Sequence, residues 1–198
     1  MGRQYDSVVD YLGPLALTGT QYGGTQFAHP FDNDNFDNSF RINNSVKYQS
    51  ANYAGFKFGA QYGFSNQQAG FSNNRAYSVS ASYNYGPLNI AAYLQLNNDL
   101  SGEGAAAAIS NANGAVSGDN TFVAGLQRTF GAGLNYAFGP ATVGFVFTQT
   151  KLEDAVGITG GAISATNGVN FTSNYARFNN YELNGRYALT PALSLAGA

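Results

Sequence analysis

Strict alternation of apolar and polar side chains over segments of about ten residues most constrains what this chain can fold into. In residues 56–64, for example, Phe, Ala and Tyr alternate with Lys, Gly and Gln. Successive side chains of a β-strand point to opposite faces, so each segment predicts a strand with one apolar and one polar face. The pattern recurs in roughly eight segments, near the length of a tilted membrane strand. Its clearest portions are 41–48, 56–64, 78–85, 90–96, 130–138, 143–147, 181–189 and 193–195.

The connections between these segments alternate between short turns and long polar stretches. The short turns lie at Ala51 to Ala54, Gly86-Pro87, Gly139-Pro140 and Thr190-Pro191. The long stretches lie at about 7–39, 65–74, 98–120 and 153–176. Long and short connections in regular alternation are typical of outer-membrane barrels, with long loops outside the cell and short turns in the periplasm. An ordinary half-buried sheet packed on a protein core is the alternative.

The composition agrees with a barrel that faces lipid. Charged residues make up 10% of the chain, whereas soluble proteins carry about 25%. Helical membrane spans need about 20 consecutive apolar residues, and the sequence has no such run. A net charge of -2 and the absence of cysteine give no sign of nucleic-acid binding, disulfides or thiolate sites. The sequence therefore predicts an all-β antiparallel transmembrane barrel.

The cost of charge in lipid assigns the two faces. A charge on the lipid-facing side costs about 2–4 kcal/mol at mid-bilayer. The apolar residues, Ile42 among them, are therefore predicted to face lipid. The charged residues in the strands are predicted to line a water-filled lumen, and these are Arg41, Lys47, Lys57, Glu182 and Arg186.

Several side chains of the apolar face fit the boundaries of a membrane. Tyr48, Tyr83, Tyr85 and Tyr136 lie near strand ends, where aromatic side chains form interfacial belts. Arg128 falls in phase with the apolar face, but it lies near the loop end of its strand. A long side chain in that position can reach the lipid head groups.

Three stretches carry a resemblance to a known family: Gly2 to Tyr5 with residues 8–13, residues 38–48, and residues 52–62. They resemble the general diffusion porins of Gram-negative bacteria, most closely those of the Burkholderia and Bordetella kind. The first stretch resembles a strand end and the start of the inward-folded third loop, the second resembles the strand after that loop, and the third resembles the next turn and strand.

This resemblance implies a sixteen-stranded barrel that assembles as a homotrimer in the bacterial outer membrane. Residues 1–198 are then expected to form one internal fragment of the barrel, a partial barrel of about eight strands. Residues 7–39 are expected to form the constriction loop, and residues 40–198 the strands with their long outer loops and short turns.

The family's constriction implies further site residues. Arg3 and Arg41 match positions of wall arginines, which in the family face acidic groups of the loop and set a mild ion preference. The loop stretch from Thr20 to Thr25 carries no carboxylate where enterobacterial relatives have an acidic motif. The candidates for the acidic side are Asp10, Asp32, Asp34 and Asp37.

Other chemistry finds little support. The run from Asp32 to Asp37 offers oxygen ligands and could hold Ca²⁺, but it lacks the glycine and the bidentate acid of an EF-hand loop. His29, the only histidine, is predicted to be a loop residue rather than a metal ligand or a base. With no nucleophile elbow and no second base, we expect neither catalysis nor a cofactor.

The resemblance implies passive diffusion of small hydrophilic solutes and ions through a water-filled channel. The implied partners are those solutes, outer-membrane lipid, lipopolysaccharide and two further copies of the protein, without nucleic acid. A surface β-protein whose long loops bind a host or phage partner is the alternative. A channel specific for one nutrient is a third possibility, but the sequence lacks the dense aromatic or arginine track typical of such channels.

Overall fold

One antiparallel sheet makes up most of the molecule. The computed structural model describes residues 1–17, 29–38, 40–65, 75–98, 116–118, 126–153, 163–164, 170–171 and 175–198. The strands are β1 (Gly2–Gln4), β2 (Phe40–Gln49), β3 (Phe56–Gly63), β4 (Arg75–Tyr85), β5 (Leu88–Asn98), β6 (Val116–Gly118), β7 (Leu126–Phe138), β8 (Ala141–Glu153), β9 (Ile163–Ser164), β10 (Asn170–Phe171), β11 (Ala176–Thr190) and β12 (Leu193–Gly197).

The strands follow one another across the sheet in the order β1-β2-β3-β4-β5-β7-β8-β11-β12. β6 pairs with the start of β2, and β9 and β10 pair with each other. Among the described residues β1 and β12 form the two edges, so the sheet is open. The predicted antiparallel strands are confirmed, β1 is the strand end that the resemblance implied, and β6, β9 and β10 are short strands within the predicted long connections. No helix in the described part of the chain is long and apolar enough to cross a membrane.

Tight turns close one end of the sheet. Gly86 and Gly139 have positive φ values of 55° and 57°, a conformation that glycine adopts without strain. Gly86 joins β4 to β5, and Gly139 joins β7 to β8. The longer connections all leave the opposite end, as the spacing of the turns predicts.

The two faces of the sheet are sorted as the alternation predicts. Large apolar side chains cover one face and are exposed, for example Phe58 at 40% and Tyr181 at 70%. Polar side chains such as Gln95 and Thr148 lie on the other face and are buried. This arrangement is the reverse of a water-soluble sheet and suits a wall with lipid outside. We call the two faces the outward and the inward face.

A segment of the chain covers the inward face. It comprises residues 6–17 and 29–38 and is called the inward segment below. It contains a π-helical turn, Val8–Leu12, and two 3₁₀ turns, Gly13–Leu15 and Pro30–Asp32. An apolar cluster joins it to the wall, and its members are Val8, Tyr11, Leu12, Leu15, Ala16 and Phe36 from the segment with Ala91, Tyr93 and Val146 from the strands.

Wall glycines make room for this packing. A Cβ atom added at Gly59 would lie 2.6 Å from the Tyr11 hydroxyl oxygen, and one at Gly133 would lie 3.3 Å from Leu12 Cδ1. The glycines of the inward face therefore admit the inward segment.

Ile42 departs from its predicted place. It is 0% exposed, whereas Val46 and Tyr48 of the same strand are 43% and 54% exposed. The pairing of β2 with β1 is irregular, since Ser45 lies opposite Gly2 but Ile42 lies opposite Gln4. The extra residue, beside Asn44 with its φ of 48°, places Ile42 on the same face as Ser45. The prediction that Ile42 faces lipid is therefore wrong.

Gly131→Ala in the full-length protein should destabilise the barrel by about 1–3 kcal/mol, because the interior has no room for the added atom. A Cβ at Gly131 would lie 2.7 Å from the Phe147 carbonyl oxygen and 2.8 Å from Thr148 Cγ2. Denaturant unfolding monitored by circular dichroism measures the change. Gly185→Ala is the matched control, since its nearest atom is 3.9 Å away. Equal stability of the two variants would contradict the close packing.

Candidate pore-constriction site

His29 joins two buried carboxylates. Its Nδ1 lies 2.5 Å from Asp34 Oδ2, and its Nε2 lies 3.4 Å from Glu182 Oε2. Burial by itself would lower the pKa of His29, but the hydrogen bonds and negative charges of Asp34 and Glu182 outweigh it and raise the pKa to about 10. His29 is therefore a cation at neutral pH and ties the inward segment to β11.

Asp34 and Asn33 also attach the inward segment to the strands. Asp34 Oδ2 accepts hydrogen bonds from the Thr148 hydroxyl and from Asn180 Nδ2, the latter at 3.1 Å. The Asn33 carbonyl oxygen accepts from the Thr150 hydroxyl at 3.0 Å and from Gln127 Nε2 at 3.0 Å. Buried polar groups need such partners, so these bonds fix the segment against β7, β8 and β11.

Glu182 holds the other part of the segment. It is 6% exposed, and its Oε1 accepts from the Leu17 backbone N–H at 2.8 Å and from Asn184 Nδ2 at 2.6 Å. Asn184 also donates to the Leu15 carbonyl at 3.0 Å. Glu182 lies on the inward face, as predicted, but it contacts the segment rather than open lumen.

Asp6 links the two parts of the segment to each other. Its Oδ2 accepts from Asn35 Nδ2 at 2.8 Å, and its Oδ1 accepts from the Val9 N–H at 3.2 Å. Burial raises the pKa of Asp6 to about 6, although these hydrogen bonds lower it. Asp32 and Asp37 bond within the same turn, since Asp32 Oδ1 accepts from the Asp37 N–H at 2.9 Å.

Asp32 and Asp34 direct their carboxylates to separate partners, the Asp37 N–H and His29. Within the described ranges, no group of three His, Asp or Glu side chains is arranged to hold a metal ion. The calcium alternative therefore gains no support from this arrangement.

Asp10 and Lys47 form an ion pair at the open side of the segment. Gln49 Nε2 also donates to Asp10 Oδ2 at 3.2 Å. A cavity of about 420 Å³ lies beside Asp10, between the segment and strands β2, β3, β4, β5 and β7. Its lining includes Lys57 and the amides of Asn84, Asn89 and Asn135, which lie toward the tight turns.

The predicted wall arginines lie apart from this cluster. The Arg41 guanidinium lies 4.6 Å from the centre of the Tyr5 ring, and its Nη2 donates to the Tyr5 hydroxyl at 2.6 Å. Because Arg41 precedes the inward-facing Ile42, the register directs it to the opposite face. Arg3 is exposed on the edge strand β1, and Arg186 is exposed on β11 beside Pro14 and Leu15. The lumen role of Arg3 and Arg186 stays a prediction, whereas the register of β2 argues against a lumen role for Arg41.

The structure thus brings together two groups of predicted residues. Asp34 and Glu182 meet at His29, and Asp10 meets Lys47 near Lys57. The sequence analysis did not single out Asp6, and it regarded His29 only as a loop residue. A signal that could have revealed the network is the set of buried polar residues Thr148, Thr150, Asn180 and Glu182 within the strands.

Comparison with known proteins identifies the family to which the chain belongs. The family model described as Gram-negative porin matches residues 1–198. An outer membrane porin of Bordetella pertussis is 30% identical over 161 residues, which cover 75% of this chain and 37% of that protein. The anion-selective porin from Comamonas acidovorans superposes with a TM-score of 0.58 at 17% identity, over 98% of this chain and 50% of that one.

The chain therefore spans at most about half the length of these relatives. The relatives are channel proteins rather than enzymes, and the sequence resemblance is confirmed. With its open antiparallel sheet, its apolar outward face and its covered polar face, the chain belongs to the Gram-negative porin family of the bacterial outer membrane.

Proposed function

We propose that the full-length protein passes small hydrophilic solutes and ions by passive diffusion through a water-filled channel, as a homotrimer. Residues 7–39 narrow the channel as a constriction loop. The observation that carries this proposal is the attachment of the inward segment to the polar face through buried hydrogen bonds. A loop held this way leaves a fixed polar passage beside it, and the 420 Å³ cavity is part of that passage.

The charge that lines the cavity favours anions. Asp34 and Glu182 share one cation, His29, in the buried attachment, and Asp10 in the cavity lining is paired with Lys47. Lys57 lines the cavity and has no ion-pair partner in the part of the chain that the structure describes. An unpaired cation beside a narrow passage raises the local concentration of anions. The Comamonas relative is itself named as anion-selective.

The alternative of a surface protein that binds a host or phage partner depends on the long outer connections. Most of those residues, including 99–115 and 154–162, lie outside the described residues, as does the loop stretch 20–25. No contact in the described part favours that function over diffusion.

Lys57→Glu should lower the permeability ratio of chloride to potassium by roughly threefold, because it reverses the unpaired charge beside the passage. The reversal potential of the full-length protein in a planar bilayer under a KCl gradient measures this ratio. Lys57→Arg keeps the charge and serves as the control, with an unchanged ratio expected. An unchanged ratio in Lys57→Glu would remove Lys57 from the ion path.

The His29 attachment should depend on pH in the alkaline range. The folded pKa of about 10 lies above the ordinary 6.5, so the stabilisation is complete below pH 6.5 and is lost as the pH rises through about 10. His29→Gln should therefore destabilise the protein by about 3 kcal/mol at pH 7, and the difference from wild type should shrink toward pH 10.

Denaturant unfolding at a series of pH values measures this difference. Lys47→Gln is the comparison, because removal of its partly exposed ion pair should cost less than about 1 kcal/mol. A difference between His29→Gln and wild type that stays constant from pH 7 to pH 11 would show that the charge on His29 does not hold the segment.

A further inference from the structure

Four asparagines lie in one row across the inward face, toward the tight turns. Asn84 of β4 is directly opposite Asn89 of β5, and Asn89 is directly opposite Asn135 of β7. On β8 the row passes through Gly144, which lies opposite Asn135 and opposite Asn184 of β11. Neighbouring strands are about 4.8 Å apart, so the wall presents amides at a regular spacing. We call Asn84, Asn89, Asn135 and Asn184 the amide row.

The inward segment engages one half of the amide row. Asn184 Nδ2 donates to the Leu15 carbonyl oxygen at 3.0 Å. Asn135, with its amide turned so that the nitrogen faces acceptors, donates to the same oxygen at 3.1 Å. Asn84 and Asn89 line the 420 Å³ cavity, and within the described part of the chain their side chains make no hydrogen bond. Two amides therefore hold the segment, and the other two are available to a solute.

The cavity lining suits a small solute with several hydroxyl groups. The amides of Asn84 and Asn89 and the hydroxyl of Ser82 both donate and accept hydrogen bonds, as the hydroxyl groups of a sugar do. Tyr11 and Pro14 of the inward segment supply an apolar surface on the other side. The volume of 420 Å³ lies within the range of about 300–1,000 Å³ for small-molecule sites, which combine apolar surface with a few polar groups.

Lys57 gives this lining a positive charge. It is directly opposite Ser82, and Asn84 lies two residues further along β4, at a diagonal separation of about 7–8 Å that a long side chain spans. Asp10, the acid in the described lining, is paired with Lys47. The described lining contains no arginine, the residue whose paired donors match phosphate. One ammonium group beside two amides therefore favours a carboxylate over a phosphate.

We propose that Lys57, Asn84 and Asn89 form a weak binding site for sugar acids, small solutes that carry one carboxylate and several hydroxyl groups. The Lys57 ammonium binds the carboxylate, and the two amides bind hydroxyl groups. Tyr11 and Pro14 pack on the C–H groups of the sugar. The proposal rests on the proposed function, because the solute reaches this cavity through the passage beside the inward segment. It adds a preferred class of solute to passive diffusion.

The test is binding of D-glucuronate, D-glucose and acetate to the full-length protein in a detergent without a sugar head group, measured by saturation-transfer NMR titration. Glucuronate carries both the carboxylate and the hydroxyl groups, whereas acetate and glucose each carry one kind. Glucuronate should therefore bind wild type more tightly than either. The measurement needs no ion current, so a wild-type protein that binds glucuronate but does not conduct would count against the proposed function and not against this site.

Substitutions separate the two kinds of contact. Asn84→Ala and Asn89→Ala should each lower the affinity for glucuronate relative to acetate by about fivefold, the effect of one lost hydrogen bond. Lys57→Gln should lower the affinity for glucuronate relative to glucose by a similar factor. Asn179→Ala is the matched control, since it removes an exposed amide that bonds to Gln149 on the outward face, and all three affinities should stay unchanged. Circular dichroism of each variant shows that the sheet is intact.

The proposal is overturned if wild type binds acetate or glucose as tightly as glucuronate. It is also overturned if the double variant Asn84→Ala/Asn89→Ala binds glucuronate as tightly as wild type. An equal loss of glucuronate binding in Asn179→Ala and Asn84→Ala would count against it as well, because the loss would then not be specific to the amide row.

Discussion

The buried hydrogen bonds between the inward segment and the polar face of the sheet are the interaction on which the rest of this structure depends. A wall with lipid outside must turn its polar side chains inward, and those side chains then need partners. Asn33, Asp34 and Leu17 supply them from the segment. The same contacts fix where the segment lies. They therefore both supply hydrogen-bond partners to the polar side chains of the wall and determine the shape of the cavity beside the segment.

Much of the fold follows from the sequence because its physical causes are local. Alternation of side chains fixes the two faces, and glycine at tight turns marks one end of the sheet. The prediction for Ile42 was wrong because its orientation depends on an extra residue in β2, beside Asn44. The alternation of side chains in the sequence does not reveal such a residue. The packing of Tyr11 on Gly59 could not be predicted either, because alternation within a strand does not show which loop residue contacts the wall.

The candidate site was predicted less completely, because its contacts join residues far apart in the chain. Asp34 and Glu182 were recognised as charged residues of the loop and the wall, but their meeting at His29 is a tertiary contact over more than 140 positions. Asp34 and Glu182 therefore hold the segment in place, and Lys57 lines the cavity beside it.

Cross-linking of the inward segment to the wall tests the central claim most directly. The Ser7 and Ser78 hydroxyl oxygens are 2.6 Å apart, and the chain contains no cysteine. The double variant Ser7→Cys/Ser78→Cys of the full-length protein should form a disulfide in the outer membrane, detected by gel mobility with and without reductant, while Ser7→Cys/Ser194→Cys should not. Absence of the first cross-link, or equal formation of both, would contradict the attachment of the segment to the inward face.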